Sequence, residues 1–203
     1  MFVNIPSFIQ VIFPFVTWRM KTEKKEVWLT FDDGPEKEVS DWILQTLKKN
    51  NVKATFFLNG KDIVRNKIIF KKILNERHIV GNHSFSHLDG WKTTLSNYIQ
   101  DIEKCQELMT DNKLFRPPYG RFSLYQLYKI KKKYRVVLWD IFAFDFKKNI
   151  SPENIKSNIL KNIKPGSIIV LHNNKKSFVN LKLVLEDIIH EIRKEGYSFS
   201  VNW

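Results

Sequence analysis

The sequence predicts a single α/β domain built on a parallel sheet. From Glu26 onward, short β-rich runs alternate with amphipathic helical patterns, which is typical of strands joined by crossover helices. The 203 residues, 43% of them hydrophobic, lie in the range in which one domain can bury a full core. No repeat, linker or low-complexity stretch divides them. We therefore expect one domain over residues 26–203, preceded by a distinct segment over residues 1–25.

Seven runs are predicted to be strands because β-branched and aromatic residues fill them. They are Val27–Phe31, Ala54–Leu58, His78–Val80, a short run near Leu114, Val136–Trp139, Ser167–Leu171 and Tyr197–Val201. Six stretches with apolar residues at helical spacing are predicted to be helices between them. They are Val39–Lys49, Asp62–Asn75, Leu95–Met109, Leu124–Lys132, Ile155–Ile163 and Leu181–Lys194.

The charge balance is strongly basic. Thirty-four Lys and Arg against twenty-one Asp and Glu give a formal charge of +13, which favours anionic partners without choosing among them. The lysines form short scattered clusters, no nucleic-acid-binding motif accompanies them, and a solvated surface is the expected use. We therefore expect no nucleic-acid partner and a monomer. The one cysteine, Cys105, excludes an internal disulfide and lies at helical core spacing.

The N-terminal segment is apolar but lacks the basic region and cleavage site of a secretory signal. It is also short for a membrane span, which needs about 20 apolar residues. One helical face is predicted to carry Ile5, Phe8, Ile9, Ile12, Phe13 and Val16. This face suits docking on the domain, which we favour, or lying on a membrane surface through residues 2–18. The expected location is cytoplasmic or peripheral to a membrane.

Two adjacent carboxylates, Asp32 and Asp33, end the first strand of the domain. Neighbouring strand residues point in opposite directions, but the Gly34-Pro35 turn that follows can aim both side chains at one site. One carboxylate can then bind a metal while the other remains free as a base. An Asp-Asp-Gly sequence is more often a turn alone, and the histidines elsewhere in the chain are what favour the site.

His83 and His87 are four residues apart, a spacing at which two imidazoles share one helical face and can chelate one ion. A carboxylate completes a set of two histidines and one acid, which suits Zn²⁺, with Co²⁺, Fe²⁺, Ni²⁺ and Mn²⁺ also compatible. His172 ends another apolar strand, and Asp145 at a further strand end could hold its ring. His78 and His190 have no such neighbours, and we assign both to structure.

Five motifs together resemble those of the polysaccharide deacetylase family, also called carbohydrate esterase family 4 or the NodB homology domain. They are TFDDGP at Thr30–Pro35, HSFSH at His83–His87, RPPYG at Arg116–Gly120, WDIFAFDF at Trp139–Phe146, and Leu171-His172. Their order and approximate spacing match over about residues 26–201. The resemblance implies a distorted, TIM-like (β/α) barrel of seven or so parallel strands that hydrolyses N-acetyl groups on a glucosamine-containing polymer or oligosaccharide.

The resemblance also implies roles for individual residues. Asp32 matches the catalytic base, Arg116 the residue that orients it, His172 the general acid and Asp145 the partner of that acid. The implied metal ligands are Asp33, His83 and His87. The implied substrate-binding positions are Tyr119, whose backbone N–H assists the oxyanion, Leu171 of the acetyl pocket, Pro117 and Phe146. Peptidoglycan or a related N-acetylglucosamine polymer is the leading expected substrate.

Three positions depart from the family pattern: Phe142 and Asn173 stand where Asp is common, and Phe146 where Trp is common. Phe146 can still form an apolar wall. The same metal and base would also attack other activated carbonyls, so an acetyl-xylan esterase and a cyclic imide hydrolase are alternatives. A barrel that binds polymer without catalysis is the alternative from another class.

Overall fold

The computed structural model describes residue 3, residues 7–109 and residues 111–203, without the side chains of Ser7 and Ile9. Its strands form one curled, entirely parallel sheet with the path β1-β6-β5-β4-β3-β2-β8-β7, and β9 pairs with β2 beside that path. The strands are β1 Val16–Thr17, β2 Glu26–Asp32, β3 Thr55–Leu58, β4 Ile79–Asn82, β5 Leu114–Phe115, β6 Arg135–Val137, β7 Ile141–Phe142, β8 Ile168–His172 and β9 Ser198–Phe199. The predicted α/β class and TIM-like barrel are confirmed.

Eight α-helices connect and cover these strands in the described part of the chain. They are α1 Ser7–Ile12, α2 Lys37–Lys49, α3 Gly60–Arg65, α4 Lys67–Asn75, α5 Leu95–Gln106, α6 Leu124–Ile130, α7 Pro152–Leu160 and α8 Lys175–Lys194. Short 3-10 turns lie at Gly90–Lys92 and Pro118–Gly120. Side-chain caps begin several helices: Ser151 accepts from the backbone N–H of Asn154 at α7, and Ser123 forms a capping box with Gln126 at α6.

The single helix predicted over Asp62–Asn75 is wrong, because the chain breaks at Asn66 into α3 and α4. Asn66 has φ −124° and ψ 48°, and its side chain donates to the carbonyl of Pro35 at 2.8 Å. That hydrogen bond stabilises the break. The two-residue strands β1 and β7 were not predicted, since Val16 of β1 was assigned to a helical face and the run before β7 to the strand Val136–Trp139.

Alternation along β8 separates two cores. Ile169 and Leu171 belong to the core between the sheet and its covering helices, which also contains Ile188 of α8. Ile168 and Val170 face the other way, into a second core with Trp28. Because successive strand side chains point to opposite faces, His172 faces the same side as Val170, toward the barrel interior.

The N-terminal segment reaches both free edges of the curled sheet. The Val3 carbonyl accepts from the Phe142 backbone N–H at 2.9 Å, and Val16 pairs with Val136 in β1 and β6. Phe13 and Val16 pack on the core as predicted.

The prediction that the helical face docks on the domain is wrong for two other side chains, Phe8 and Ile12. Phe8 is 65% exposed and Ile12 63% exposed, so the six-residue helix α1 turns both side chains to solvent. Ile5 and the side chain of Ile9 lie outside the described residues. The domain boundary at residue 25 stays a prediction.

Among the described residues, no helix combines the length and the apolar character needed to cross a bilayer. Cys105 is fully buried in α5, as its spacing predicted, and burial raises the pKa of its thiol to about 12. A thiol of that pKa stays protonated and unreactive at neutral pH, so Cys105 contributes packing only.

Candidate active site

A cavity of about 740 Å³ opens at the carboxyl ends of the strands, where parallel barrels carry their sites. Most of the predicted site residues lie in its wall. The lining residues are Asp32, Asp33, His83, His87, Trp91, Tyr119, Gly120, Arg121, Trp139, Phe142, Phe146, His172, Asn174 and Lys176.

The two adjacent carboxylates both reach this cavity, although strand alternation alone would separate them. Asp32 lies on the same side of β2 as Thr30, which bonds Arg116 inside the barrel. Asp33 has φ +72°, in the left-handed region that non-glycine residues rarely occupy. The chain therefore reverses its alternation at Asp33 and turns the second carboxylate to the same side.

Asp32 is held by a fully buried arginine. Arg116 Nη1 donates to Asp32 Oδ1 at 2.6 Å and to Thr30 Oγ1 at 2.7 Å, and its other donors reach the carbonyls of Leu138 and Val137. Both members of the ion pair are buried, so neither charge is screened by water. One carboxylate oxygen of Asp32 is thus fixed while the carboxylate still lines the cavity.

Asp33, His83 and His87 bring one ligand atom each within 4.8 Å of one another. Asp33 Oδ1 lies 3.2 Å from His87 Nε2 and 3.9 Å from His83 Nε2. Ligands about 2.0 to 2.1 Å from a tetrahedral metal stand about 3.4 Å apart, so these spacings fit a divalent ion after a small adjustment.

Protonation also fits metal binding. His83 Nδ1 lies 2.8 Å from the Arg116 carbonyl, which can only accept, so the ring proton sits on Nδ1 and the lone pair on Nε2. Burial lowers the pKa of His83 to about 4, which keeps the ring neutral. Burial acts to raise the pKa of Asp33, but the His87 hydrogen bond and the charge of His172 hold it well below its usual range. The donor set therefore offers the neutral Nε2 of His83 and the carboxylate of Asp33, with His87 Nε2 beside them.

Two asparagines orient the Asp33 carboxylate. Asn174 Nδ2 donates to Asp33 Oδ2 at 2.7 Å, and Asn59 Nδ2 approaches Oδ1 at 3.4 Å. The Asn174 Oδ1 in turn accepts from the backbone N–H groups of Lys176 and Ser177, which caps α8. The first turn of α8 therefore sets the position of Asp33 Oδ2, while Asp33 Oδ1 faces the histidines.

His172 is bound twice by Asp145. Its ring Nδ1 lies 2.8 Å from Asp145 Oδ1, and its backbone N–H donates to Oδ2 at 2.8 Å. Burial acts to lower the pKa of His172, but the charge and hydrogen bond of Asp145, with the charges of Asp33 and Asp32, raise it to about 9. Phe146 and Phe142 flank the ring, with centroids at 5.1 and 5.6 Å. The imidazole is thus kept protonated between apolar walls.

Asn173 also has a structural explanation. Its side chain is fully buried, its Oδ1 accepts from Ser40 Oγ at 2.9 Å, and its Nδ2 points at the Asp33 carbonyl at 3.5 Å. An amide supplies both an acceptor and a donor without a buried charge, whereas an ionised Asp would face that carbonyl with an acceptor. Asn therefore fits this environment.

Pro117 and Leu171, both expected to contact substrate, are buried and do not line the cavity. Leu171 faces the helix-side core because it is one residue before the inward-facing His172. Pro117 lies under the turn, where its carbonyl accepts from the Gly120 backbone N–H. Tyr119 and Phe146 do line the cavity, and the Tyr119 ring lies 4.6 Å from that of His87.

Sequence reasoning missed several lining residues. Trp91 is 69% exposed at the rim, where the guanidinium of Arg121 stacks over it at 4.8 Å, and Lys176 lies at the start of α8. None belongs to a motif, and only the fold brings them to the cavity. Asn174 had one available signal, since it is a helix-capping residue type two positions after His172.

The remaining histidines lie outside the cavity wall. His78 is buried, and its Nδ1 accepts from the Ala54 backbone N–H at 3.2 Å. Burial lowers the pKa of His78 to about 4 even though Glu76 Oε2 lies 3.9 Å from Nε2, a distance too long for a hydrogen bond. His190 Nε2 meets Asn50 Oδ1 at 2.9 Å. The first contact joins the loops that precede β3 and β4, the second joins α8 to the end of α2, and both serve packing.

Comparison with known proteins gives concordant matches. The family model described as polysaccharide deacetylase matches residues 19–136. A peptidoglycan-N-acetylglucosamine deacetylase of Bacillus cereus is 37% identical over 183 residues, which cover 87% of this chain and 66% of that protein. The peptidoglycan-N-acetylmuramic acid deacetylase PdaA of Bacillus subtilis is 32% identical and matches 88% of this chain and 70% of its own length.

A solved structure gives the same result. The crystal structure of a peptidoglycan N-acetylglucosamine deacetylase in complex with 4-naphthalen-1-yl-N-oxidanyl-benzamide superposes with a TM-score of 0.89 at 34% identity. The match covers 97% of this chain and 94% of that one. The resemblance drawn from the five motifs is confirmed, and the chain belongs to the polysaccharide deacetylase family, carbohydrate esterase family 4.

Proposed function

We propose that this protein removes N-acetyl groups from an N-acetylglucosamine-containing polysaccharide, of peptidoglycan or chito-oligosaccharide type, and releases acetate. The observation that carries the proposal is the pairing of Asp32 with His172 across β2 and β8. Neighbouring strands in this register put the two side chains side by side on the cavity face, with an arginine holding one and a carboxylate holding the other. That is a base and an acid over one reaction centre.

A divalent metal, which we propose to be Zn²⁺, would be held by Asp33, His83 and His87. When bound it would supply Lewis acidity, which polarises the acetamide carbonyl and makes water more acidic. The converging Nε2 atoms and the carboxylate oxygen support this assignment.

The protein's own groups would then move two protons. Asp32, oriented by Arg116, accepts a proton from the water while the water oxygen bonds to the acetyl carbon. The backbone N–H of Tyr119 is proposed to donate to the developing oxyanion. His172, kept protonated by Asp145, gives its proton to the nitrogen as the C–N bond breaks. Acetate and a free amino sugar result.

The substrate test is a product assay on N-acetylated chito-oligosaccharides, acetylated xylan and a cyclic imide, with the metal-loaded protein. We expect acetate and an equal amount of new amine from the chito-oligosaccharide, and no turnover of xylan or imide. Peptidoglycan digests analysed by sugar type then separate the N-acetylglucosamine activity named for one relative from the N-acetylmuramic acid activity named for another. Turnover of acetylxylan alone would make the protein an esterase, and no turnover with a full site would make it a binding barrel.

A further inference from the structure

The exposed apolar side chains of this protein are concentrated on one face. Seven of the thirteen large apolar side chains exposed among the described residues lie in the N-terminal segment or in α6. The first group is Phe8, Val11, Ile12 and Phe15, and the second is Leu124, Tyr125 and Tyr128. Each is at least 54% exposed. Such a concentration is larger than scattered surface residues explain, and it indicates a contact surface.

Several contacts make the two groups neighbours. The rings of Phe13 and Phe122 meet edge to face at 5.8 Å, which joins the segment to the residue just before the α6 cap. Lys131 Nζ lies 3.2 Å from the centre of the Phe15 ring and 5.6 Å from that of Tyr128. One lysine therefore bridges Phe15 and Tyr128, and we call the two groups together the basic apolar face.

The charge of this face has one sign. Residues 1–22 and 112–139 contain no Asp or Glu, although the chain has 21 in 203 residues. Lys129 is exposed in the last turn of α6, and Lys131 and Lys132 come just after that helix. In the described part of the chain, none of the three has a carboxylate within ion-pairing distance. Lys133 is the neighbour that is paired, with Glu103 at 2.6 Å. The unpaired lysines leave the face electrostatically complementary to a negative surface.

We propose that the basic apolar face docks this protein on an anionic lipid bilayer. Aliphatic and aromatic side chains would enter the interfacial region, tyrosines would place their hydroxyls at the headgroups, and lysines would meet lipid phosphates. The face begins beside the catalytic cavity, because Phe122 directly follows Arg121 of the cavity wall. Docking would hold the cavity mouth near the lipid surface. This inference does not rest on the proposed deacetylase activity.

The test is co-sedimentation of the full chain with large vesicles of phosphatidylcholine, with and without about one third phosphatidylglycerol. We expect binding only to the anionic vesicles, weakening as salt rises because the attraction is screened. Lys129→Gln/Lys131→Gln/Lys132→Gln should reduce the partition coefficient at least about tenfold, and Leu124→Ser/Tyr128→Ser should reduce it comparably.

Helix α4 supplies a matched control. Lys67→Gln/Ile68→Ser/Lys71→Gln removes two exposed lysines and an 83% exposed isoleucine elsewhere on the surface, and it should leave binding unchanged. The proposal is overturned if the protein stays in the supernatant with anionic vesicles, or if this control loses binding equally. It is also overturned if only the lysine variant loses binding, which would indicate electrostatic attraction without entry of the apolar side chains into the bilayer. A dimer found by light scattering that Leu124→Ser/Tyr128→Ser dissociates would overturn it as well.

Discussion

Replacing Asp145 with Asn should make the activity of this enzyme strongly dependent on pH. Asp145 accepts from both the ring Nδ1 and the backbone N–H of His172, and its charge is the main cause that raises the pKa of His172 to about 9 from a reference of 6.5. Without that charge, burial is the leading effect and the pKa falls to about 6.5 or below.

The size of the loss follows from the protonated fraction of the acid. At pH 8 a His172 of pKa about 9 is about 90% protonated, whereas one of pKa about 6.5 is about 3% protonated, so activity should fall about 30-fold. At pH 6 His172 is mostly protonated in both proteins, so the smaller protonated fraction in the variant removes less than about half the activity. A bound divalent cation lowers the pKa of His172 in both proteins, so the displacement between the two profiles is the diagnostic quantity.

The assay is kcat/KM for acetate release from pH 5 to 10, with metal content and the thermal midpoint measured at each end. The descending limb of Asp145→Asn should move by about 2.5 units toward acid while the ascending limb stays in place. A loss of equal factor at pH 6 and pH 8 would refute the reasoning, since it would show that Asp145 holds the ring in place without setting its proton affinity.

Three further predictions concern stability and the metal site. The pKa of His78 is lowered to about 4 in the folded protein, so the unfolded state binds a proton more readily than the folded state does. The stability that His78 contributes is therefore complete above pH 6.5 and is lost as the pH falls toward 4. Urea unfolding should show a loss of up to about 3 kcal/mol over this range. Arg116→Met should lower the free energy of unfolding by roughly 3 to 5 kcal/mol, because it leaves the buried Asp32 carboxylate unpaired. Asn174→Ala should weaken metal binding about 10- to 100-fold in a chelator competition, because it frees one oxygen of Asp33.

A matched variant tests the burial explanation. Arg121→Met removes a partly exposed arginine and should cost less than about 1 kcal/mol. A cost for Arg121→Met equal to that of Arg116→Met would contradict the burial argument. His78→Gln should reduce the acid sensitivity without abolishing it, because burial lowers the pKa of His83 to about 4 as well; a sensitivity that does not shrink would contradict the role of His78.

The strands with long apolar runs could be predicted from the sequence. A run such as Val27–Phe31 is mostly apolar because its strand is buried on both faces. The predicted site residues at strand ends were also brought to one cavity, since parallel strands all end at the same rim. The two-residue strands β1 and β7 escaped prediction because their pairing is decided by partners distant in sequence. The exposure of Phe8 was not predicted either, because periodicity identifies an apolar helical face but does not show which part of the protein covers that face.

The wall of the cavity was predictable only in part. Motif residues such as His87 carry their chemistry in their type and spacing, whereas Trp91 reaches the rim through a 3-10 turn that no spacing predicts. Leu171 was assigned to the acetyl pocket by resemblance, and the alternation of β8 turns it to the opposite core. Leu171 and His172 are neighbours in β8, so their side chains point to opposite faces. The inward direction of His172 could therefore have been used to infer that Leu171 points away from the cavity.

The most direct measurement for the proposed chemistry pairs metal content with turnover in two variants. Asp32→Asn preserves side-chain size but cannot accept a proton, so we expect full metal occupancy with turnover reduced roughly 10²- to 10⁴-fold. His87→Ala removes a ligand, so both metal and turnover should be lost. An Asp32→Asn protein that keeps more than about half its activity, or a His87→Ala protein that keeps its metal at full stoichiometry, would contradict the division of the site into a free base and a metal-binding group.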